Sequence, residues 1–261
     1  MTAIQDFIDD TARSVAFLSR VPVPQRHFAD YDGRLSRAVR AFPLAGVLIV
    51  LPAAALAALL SAVHAPPLLL AFAALALQVL VTGALHEDGL SDSADGIGGG
   101  RDRDSALAIM KDSRVGSYGV VALVLSFGLR AAAIAALAAV LTPSGLGMAL
   151  LGVAAASRTA MVWHWSLLPP ARRDGVAASV GEPESRATLF ALASGMLIAA
   201  LLLLPHATLP AILLALAAAV LAVLVFNRMA LGKIGGHTGD TIGATQQLAE
   251  MSVLFALALA L

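Results

Sequence analysis

Asp88, Asp92 and Asp95 lie in the stretch His86-Glu87-Asp88-Gly89-Leu90-Ser91-Asp92-Ser93-Ala94-Asp95-Gly96. If a helix runs through it, the i, i+4, i+7 spacing puts the three carboxylates on one face within about two turns. Like charges so placed repel each other and destabilise the helix; keeping them calls for a compensating cation. An all-oxygen donor set, with Glu87 as a fourth carboxylate and no cysteine anywhere in the chain, points to Mg2+ or Mn2+ over Zn2+. Mg2+ takes one or two carboxylates and leaves positions for substrate phosphates. Gly89 and Gly96 would let a polyphosphate come close to the backbone. After Gly98-Gly99-Gly100 come Arg101, Arg103, Lys111 and Arg114, cations of the kind that pair with phosphate oxygens a metal leaves free.

A second polar island is Gly235-Gly236-His237-Thr238-Gly239-Asp240-Thr241. Paired glycines and hydroxyls make a turn able to present backbone N–H groups to an anion, so His237, Thr238 and Asp240 join Arg101 and Arg114 as substrate-binding candidates. Arg158 is added because an arginine inside an apolar span is costly unless it faces a partner or a cavity; Arg130 shares that position and could also snorkel. The phosphate-loop lysine and the dinucleotide fingerprint are both missing.

The elements that must carry these groups are set by composition. Of 261 residues, 59% are hydrophobic and 13% charged, with a mean hydropathy of +0.86; soluble domains carry about 25% charged residues. The expected fold class is all-α, a polytopic transmembrane helical bundle of about seven spans forming one domain over 1–261. The spans read as 39–63, 67–86, 119–142, 145–168, 187–204, 209–227 and 248–261, each near the length a helix needs to cross roughly 30 Å of hydrocarbon, the last being short. The connections 64–66, 143–144 and 205–208 hold no charged residue, whereas the N-terminal segment 1–38, the loop region 86–118, 169–186 and 228–247 hold nearly all of them. In a seven-span chain all the basic loops then share one side, the cytoplasmic one, which sets the N-terminus in and the C-terminus out.

Residues 3–19 alternate Ile4, Phe7, Ile8, Val15 and Leu18 with Asp6, Asp9, Asp10 and Arg13. This reads as an amphipathic helix lying in the membrane interface, ended by Pro22 and Pro24. Trp163 and Trp165 read as an aromatic belt pair. The late first apolar run and the early aspartates argue against a cleaved signal peptide. The zero net charge gives no argument for a nucleic acid partner.

The stretch 86–96, followed by Arg101-Asp102-Arg103 and Lys111-Asp112-Ser113-Arg114-Val115-Gly116, closely resembles the signature of the cobalamin synthase family. Phe17-Leu18-Ser19-Arg20-Val21-Pro22-Val23-Pro24, Phe42-Pro43-Leu44-Ala45-Gly46 and Gly235-Gly236-His237-Thr238-Gly239-Asp240-Thr241-Ile242-Gly243-Ala244 agree in order and position, so the resemblance covers essentially the whole chain. It implies a Mg2+-dependent enzyme of the bacterial inner membrane. Such an enzyme joins adenosylcobinamide-GDP to α-ribazole or α-ribazole 5′-phosphate and releases GMP. On that footing Asp88, Asp92 and Asp95 hold Mg2+ on the pyrophosphate, Arg101 or Arg114 steadies the departing GMP, and Asp95 or Asp112 takes the hydroxyl proton. Membrane lipid surrounds the chain, and a homo-oligomer is compatible with this reading.

Two other readings use the same residues. Asp92-Ser93-Ala94-Asp95-Gly96 looks like the start of the CDP-alcohol phosphotransferase pattern, but Gly100-Arg101 stands where that family has Ala-Arg and no Asp-x-x-x-Asp follows. A cation-coupled transporter would also use buried carboxylates, yet here acids and bases gather at one side of the membrane.

Overall fold

The computed structural model describes residues 3–29, 31–172, 175 and 179–261. Among them are ten α-helices, two 3-10 turns and no strand. The helices are α1 (Ala3–Leu18), α2 (Phe42–Ala62), α3 (Pro67–Thr82), α4 (Leu85–Gly99), α5 (Arg103–Ile109), α6 (Ser117–Val140), α7 (Pro143–Leu167), α8 (Ser185–Leu203), α9 (Leu209–Ile234) and α10 (Gly239–Ala260). Six of them (α2, α6, α7, α8, α9 and α10) are long and apolar enough to cross a membrane. The expected second span corresponds to α3 and α4, which pass the same test only as a bent pair.

Instead of running on through residue 86, that span stops at Thr82 and the chain turns by 90° into α4. Gly83 and Ala84 both adopt left-handed backbone, at φ 66° and 61°, which cannot continue a right-handed helix. A side chain at Gly83 would collide with Arg20, whose guanidinium stem fills that space, while the Arg20 N–H donates to the Val81 carbonyl at 2.8 Å. The acidic helix therefore leaves the apolar path of α3 and by itself is not long and apolar enough to cross a membrane.

The bundle closes around α7, which is buried along nearly its whole length. Its glycines and alanines let neighbours approach closely; α2 meets it where Gly46 abuts the Ala154 carbonyl and the Arg158 stem. Leucines, valines and phenylalanines of α6, α8 and α9 point outward instead, among them Val124, Leu197 and Leu221, as a lipid-facing surface requires.

Two expected boundaries move. The helix placed at 248–261 begins at Gly239, and the one placed at 209–227 continues to Ile234. In the first case the early half carries Thr241, Thr245, Gln246, Gln247 and Glu250, all buried. Their polarity faces partners inside the bundle, so it does not prevent burial. α1 forms where expected and turns its polar side inward: Asp9, Asp10 and Ser14 are buried while Ile4 is 75% exposed. Asp10 collects Arg13, Arg37 and Arg40, and Asp9 meets His27 at 2.7 Å. Ile4 and Ile8 stay exposed, whereas Leu18 is buried, Val15 packs against the core and Phe7 meets Phe190. Trp165, expected in an aromatic belt, is 2% exposed and belongs to the core with Phe42 and Leu18.

Candidate active site

α4 does form a helix through the acidic stretch, but its carboxylates diverge in what they touch. Asp95 accepts the backbone N–H of Gly116 at 2.7 Å and of Gly119 at 2.9 Å. It thereby caps the first turn of α6 from a neighbouring helix, where a negative charge is favoured by the helix dipole. A Cβ at Gly116 or Gly119 would fall within 2.5 Å of that carboxylate.

Asp88 and Asp92 face the start of α10. The two helices touch there: a Cβ on Gly89 would lie 2.7 Å from the Asp240 carbonyl oxygen and 3.3 Å from the Gly243 Cα. This crossing brings the two polar motifs of the sequence together. Burial, and then the charges of Asp88, Asp240 and Asp95, push the Asp92 carboxyl up to about 7. Asp240 itself is held by Arg172 at 3.5 Å and by the Thr238 hydroxyl at 3.2 Å. Thr238 also caps α10 through a reciprocal pair with Thr241.

Other expected site residues lie elsewhere. Glu87, one residue from Asp88, is buried and accepts from Arg130 at 3.2 Å and Gln247 at 3.0 Å. Arg158 is fully buried and donates to Glu250 at 3.3 Å. Glu250 also accepts from Arg130 at 3.2 Å and from Gln78 at 3.0 Å. These two arginines and two glutamates balance in charge inside the bundle, and the structure does not bring Glu87 or Arg158 to the carboxylate face. Asp112 and Arg114 form an exposed pair at 2.6 Å; hydrogen bonds from Arg114 hold the Asp112 carboxyl down to about 2. Arg101 is exposed. His237 is buried beside Trp165, at a ring distance of 6.4 Å, and burial pushes its imidazole down to about 4. Its backbone is bridged to Pro169 and Ala171 at 2.8 Å, and Arg103 ties Ala171 to the end of α9 at Ile234. That stitching role of Arg103 carries no sequence signal.

Between α1, α4, α7 and α10 lies a cavity of about 220 Å3. Phe17, Leu18, Met161, Trp165 and Ile242 give it apolar walls, and His86, Asp88 and Asp240 stand on its lining. His86 and Trp165 were passed over by the sequence reasoning, which saw only an acidic run and a belt.

Among the described residues, no group of three or more His, Cys, Asp or Glu side chains is placed to hold a metal ion by itself. The expected triad of Asp88, Asp92 and Asp95 is thus not assembled, because Asp95 is turned to α6. What the structure does provide fits a hard cation that takes one or two carboxylates and completes its shell with water and phosphate. The donors are all oxygen, and the charges of Asp88, Asp240 and Asp95 oppose that of Asp92.

A sequence model of the family described as cobalamin-5-phosphate synthase matches residues 10–258. The adenosylcobinamide-GDP ribazoletransferase of Sinorhizobium medicae is 65% identical over 262 residues, covering all of both chains. That of a Sinorhizobium species is 62% identical over 99% of each chain, and that of Brucella anthropi 42% identical over 97% of this chain and 98% of its own. No solved structure matches.

Proposed function

The chain belongs to the cobalamin-5-phosphate synthase family, and on that premise we propose that it joins adenosylcobinamide-GDP to α-ribazole or α-ribazole 5′-phosphate, forming adenosylcobalamin or its 5′-phosphate and releasing GMP. In this reaction a ribazole hydroxyl oxygen bonds to the phosphorus that carries the cobinamide arm. The phosphorus–oxygen bond to GMP breaks, and the hydroxyl proton passes to a base or to solvent. Phosphoryl transfer asks a protein mainly for positioning and charge stabilisation.

The single observation that carries the reading is the close crossing of α4 and α10 at Gly89, which sets Asp88 and Asp240 on one cavity and the charge of Asp92 against theirs. Asp88 and Asp92 would hold Mg2+, which when bound supplies neutralisation of the diphosphate charge. Asp240, anchored by Arg172 and Thr238, closes the same face. Asp95 acts by fixing α4 against α6, since both of its oxygens are engaged by backbone amides. Asp112 orients Arg114, which with Arg101 is exposed at the polar end to meet the leaving GMP phosphate. All these groups come from one chain. Apart from Arg130 and Arg158, nearly all basic residues lie in the N-terminal segment 1–38 and the connections 86–118, 169–186 and 228–247, so we place the chain in the bacterial inner membrane with these segments and the N-terminus cytoplasmic.

The test is GMP release by the purified full chain in detergent, from adenosylcobinamide-GDP and α-ribazole, with and without Mg2+. GMP formed only with the metal is the expected result. Release of CMP from a CDP-activated lipid, with no GMP from adenosylcobinamide-GDP, would overturn the reading in favour of a lipid headgroup transferase.

A further inference from the structure

Three close approaches fix Arg172 beside Asp240. The backbones of Pro169 and Ala171 exchange hydrogen bonds of 2.8 Å with His237, and a Cβ on Gly236 would collide with the Pro169 carbonyl oxygen. Arg103 donates to the carbonyls of Ala171 and Ile234, which ties the same segment to the end of α9. Gly175, at φ 112°, passes so near the guanidinium that a Cβ there would stand 3.2 Å from Nε. Yet among the described residues the guanidinium held in this way donates no hydrogen bond. Its Nη2 is 3.5 Å from the Asp240 carboxylate, beyond ordinary hydrogen-bond length. Nη1 is sealed from solvent, whereas Nε and Nη2 are not. A cation ordered on three sides, with open donors and only a loose charge contact, calls for an acceptor other than Asp240.

Resting on the transfer reaction above, we propose that Arg172 is a catalytic residue that binds the phosphoryl group under attack. Asp88 and Asp240 line the cavity between α1, α4, α7 and α10, so Nη2 of Arg172 stands one carboxylate away from it. The charges of Asp88, Asp92, Asp95 and Asp240 on this side are all negative, and a diphosphate brought among them needs a cation of the protein's own. Arginine suits the task, because its planar fork meets two phosphate oxygens at once. Arg101 and Arg114 serve the GMP side; the phosphorus that carries the cobinamide arm has a separate need, since charge spreads over its oxygens in the transition state. Turning Nη2 from Asp240 to a phosphate oxygen breaks no hydrogen bond. Asp240 thus keeps the guanidinium at the cavity until a phosphate oxygen replaces it. Arg172 gives and takes no proton: it hydrogen-bonds the non-bridging oxygens while the new phosphorus–oxygen bond forms and the bond to GMP breaks.

Calorimetric titration of the full chain in detergent with inorganic pyrophosphate, in the presence of Mg2+, reads the contact without any transfer. Arg172→Gln keeps a polar tip and leaves the backbone bonds of Pro169 and Ala171 to His237 in place. It is expected to weaken pyrophosphate binding about tenfold, and by the same factor when combined with Asp240→Asn. In the release assay it lowers kcat about a hundredfold and leaves KM for α-ribazole unchanged, which shows the variant is folded. Arg172→Lys preserves the charge opposite Asp240 but loses the fork, and kcat falls about tenfold. The inference falls if the unaltered chain does not bind pyrophosphate, or if Arg172→Gln binds it as the unaltered chain does. It falls equally if the effect of Arg172→Gln disappears once Asp240→Asn is present, because Arg172 would then act only as a support for that carboxylate. GMP release at an unchanged kcat in Arg172→Gln would sink the contact and leave the transfer reaction standing. Arg172-dependent pyrophosphate binding by a chain that releases no GMP would do the reverse.

Discussion

Arg130 donates to Glu87 at 3.2 Å across the interior of the bundle, tying the residue beside Asp88 to the middle of α6. The same guanidinium reaches Glu250 at 3.2 Å, and Glu250 in turn holds Arg158 and Gln78. α3, α4, α6, α7 and α10 thus share one buried polar network, and the face that α4 offers to α10 is set by it.

Replacing Arg130 by Met leaves Glu87 and Glu250 buried with their main cation gone. Losing one partner of a buried pair costs about 3–5 kcal/mol, so a large drop in thermal midpoint in detergent is expected. The double variant Glu87→Gln with Arg130→Met recovers part of it, because one stranded charge is removed as well. An unchanged midpoint for the single variant would show that the network contributes nothing to the fold.

Gly89→Ala tests the helix crossing. The new Cβ would stand 2.7 Å from the Asp240 carbonyl oxygen, and backbone on both sides cannot yield without separating α4 from α10. Overpacking of this kind costs about 1–3 kcal/mol, and GMP release should fall because Asp88 and Asp92 move away from Asp240. Gly99→Ala is the control on the same helix: its Cβ would have no neighbour nearer than 3.9 Å. Gly→Ala by itself favours the helix by about 1 kcal/mol, so equal losses in the two variants would mean that the crossing is not what is responsible.

The crossing helices were legible in the sequence because hydrocarbon thickness imposes long apolar runs on every span. Which way a polar residue faces was not. Gln246, Gln247 and Glu250 lower the hydropathy of α10 enough to make its first half look like loop, yet they are buried against Arg130, Arg158 and Glu87. The turn at Gly83 and Ala84 was equally hidden, since alanine gives no sign of a left-handed conformation. The acidic run announced a charged site, but the spacing of Asp95 from Asp92 could not reveal that two amides of α6 would claim its carboxylate. Asp240 was read as a phosphate-side group from its motif; its neighbourhood with Asp88 and Asp92 arises only when α4 and α10 cross.

His237 supplies a pH dependence. Burial holds its imidazole down to about 4, against about 6.5 in an unfolded chain. Between those values the unfolded state binds more protons, so stability falls as pH drops from about 6.5 toward 4 and is unaffected above that range. His237→Asn is expected to flatten this part of the profile of thermal midpoint against pH. A profile as steep in the variant as in the parent would assign the acid sensitivity to other groups.

Asp92→Asn separates the metal reading from a merely acidic helix end. In metal-free protein the carboxylate is opposed by burial and by Asp88, Asp240 and Asp95, so removing its charge should raise the thermal midpoint. Saturating Mg2+ should raise the midpoint of the unaltered chain, since a ligand that binds only the folded state stabilises it, and should raise that of the variant much less. GMP release should fall by about a hundredfold or more as the diphosphate loses its metal anchor. A solvated acidic end would behave differently: the substitution would leave both the Mg2+ response and the rate unchanged, because a charge that meets only water has little repulsion to relieve and no ion to hold.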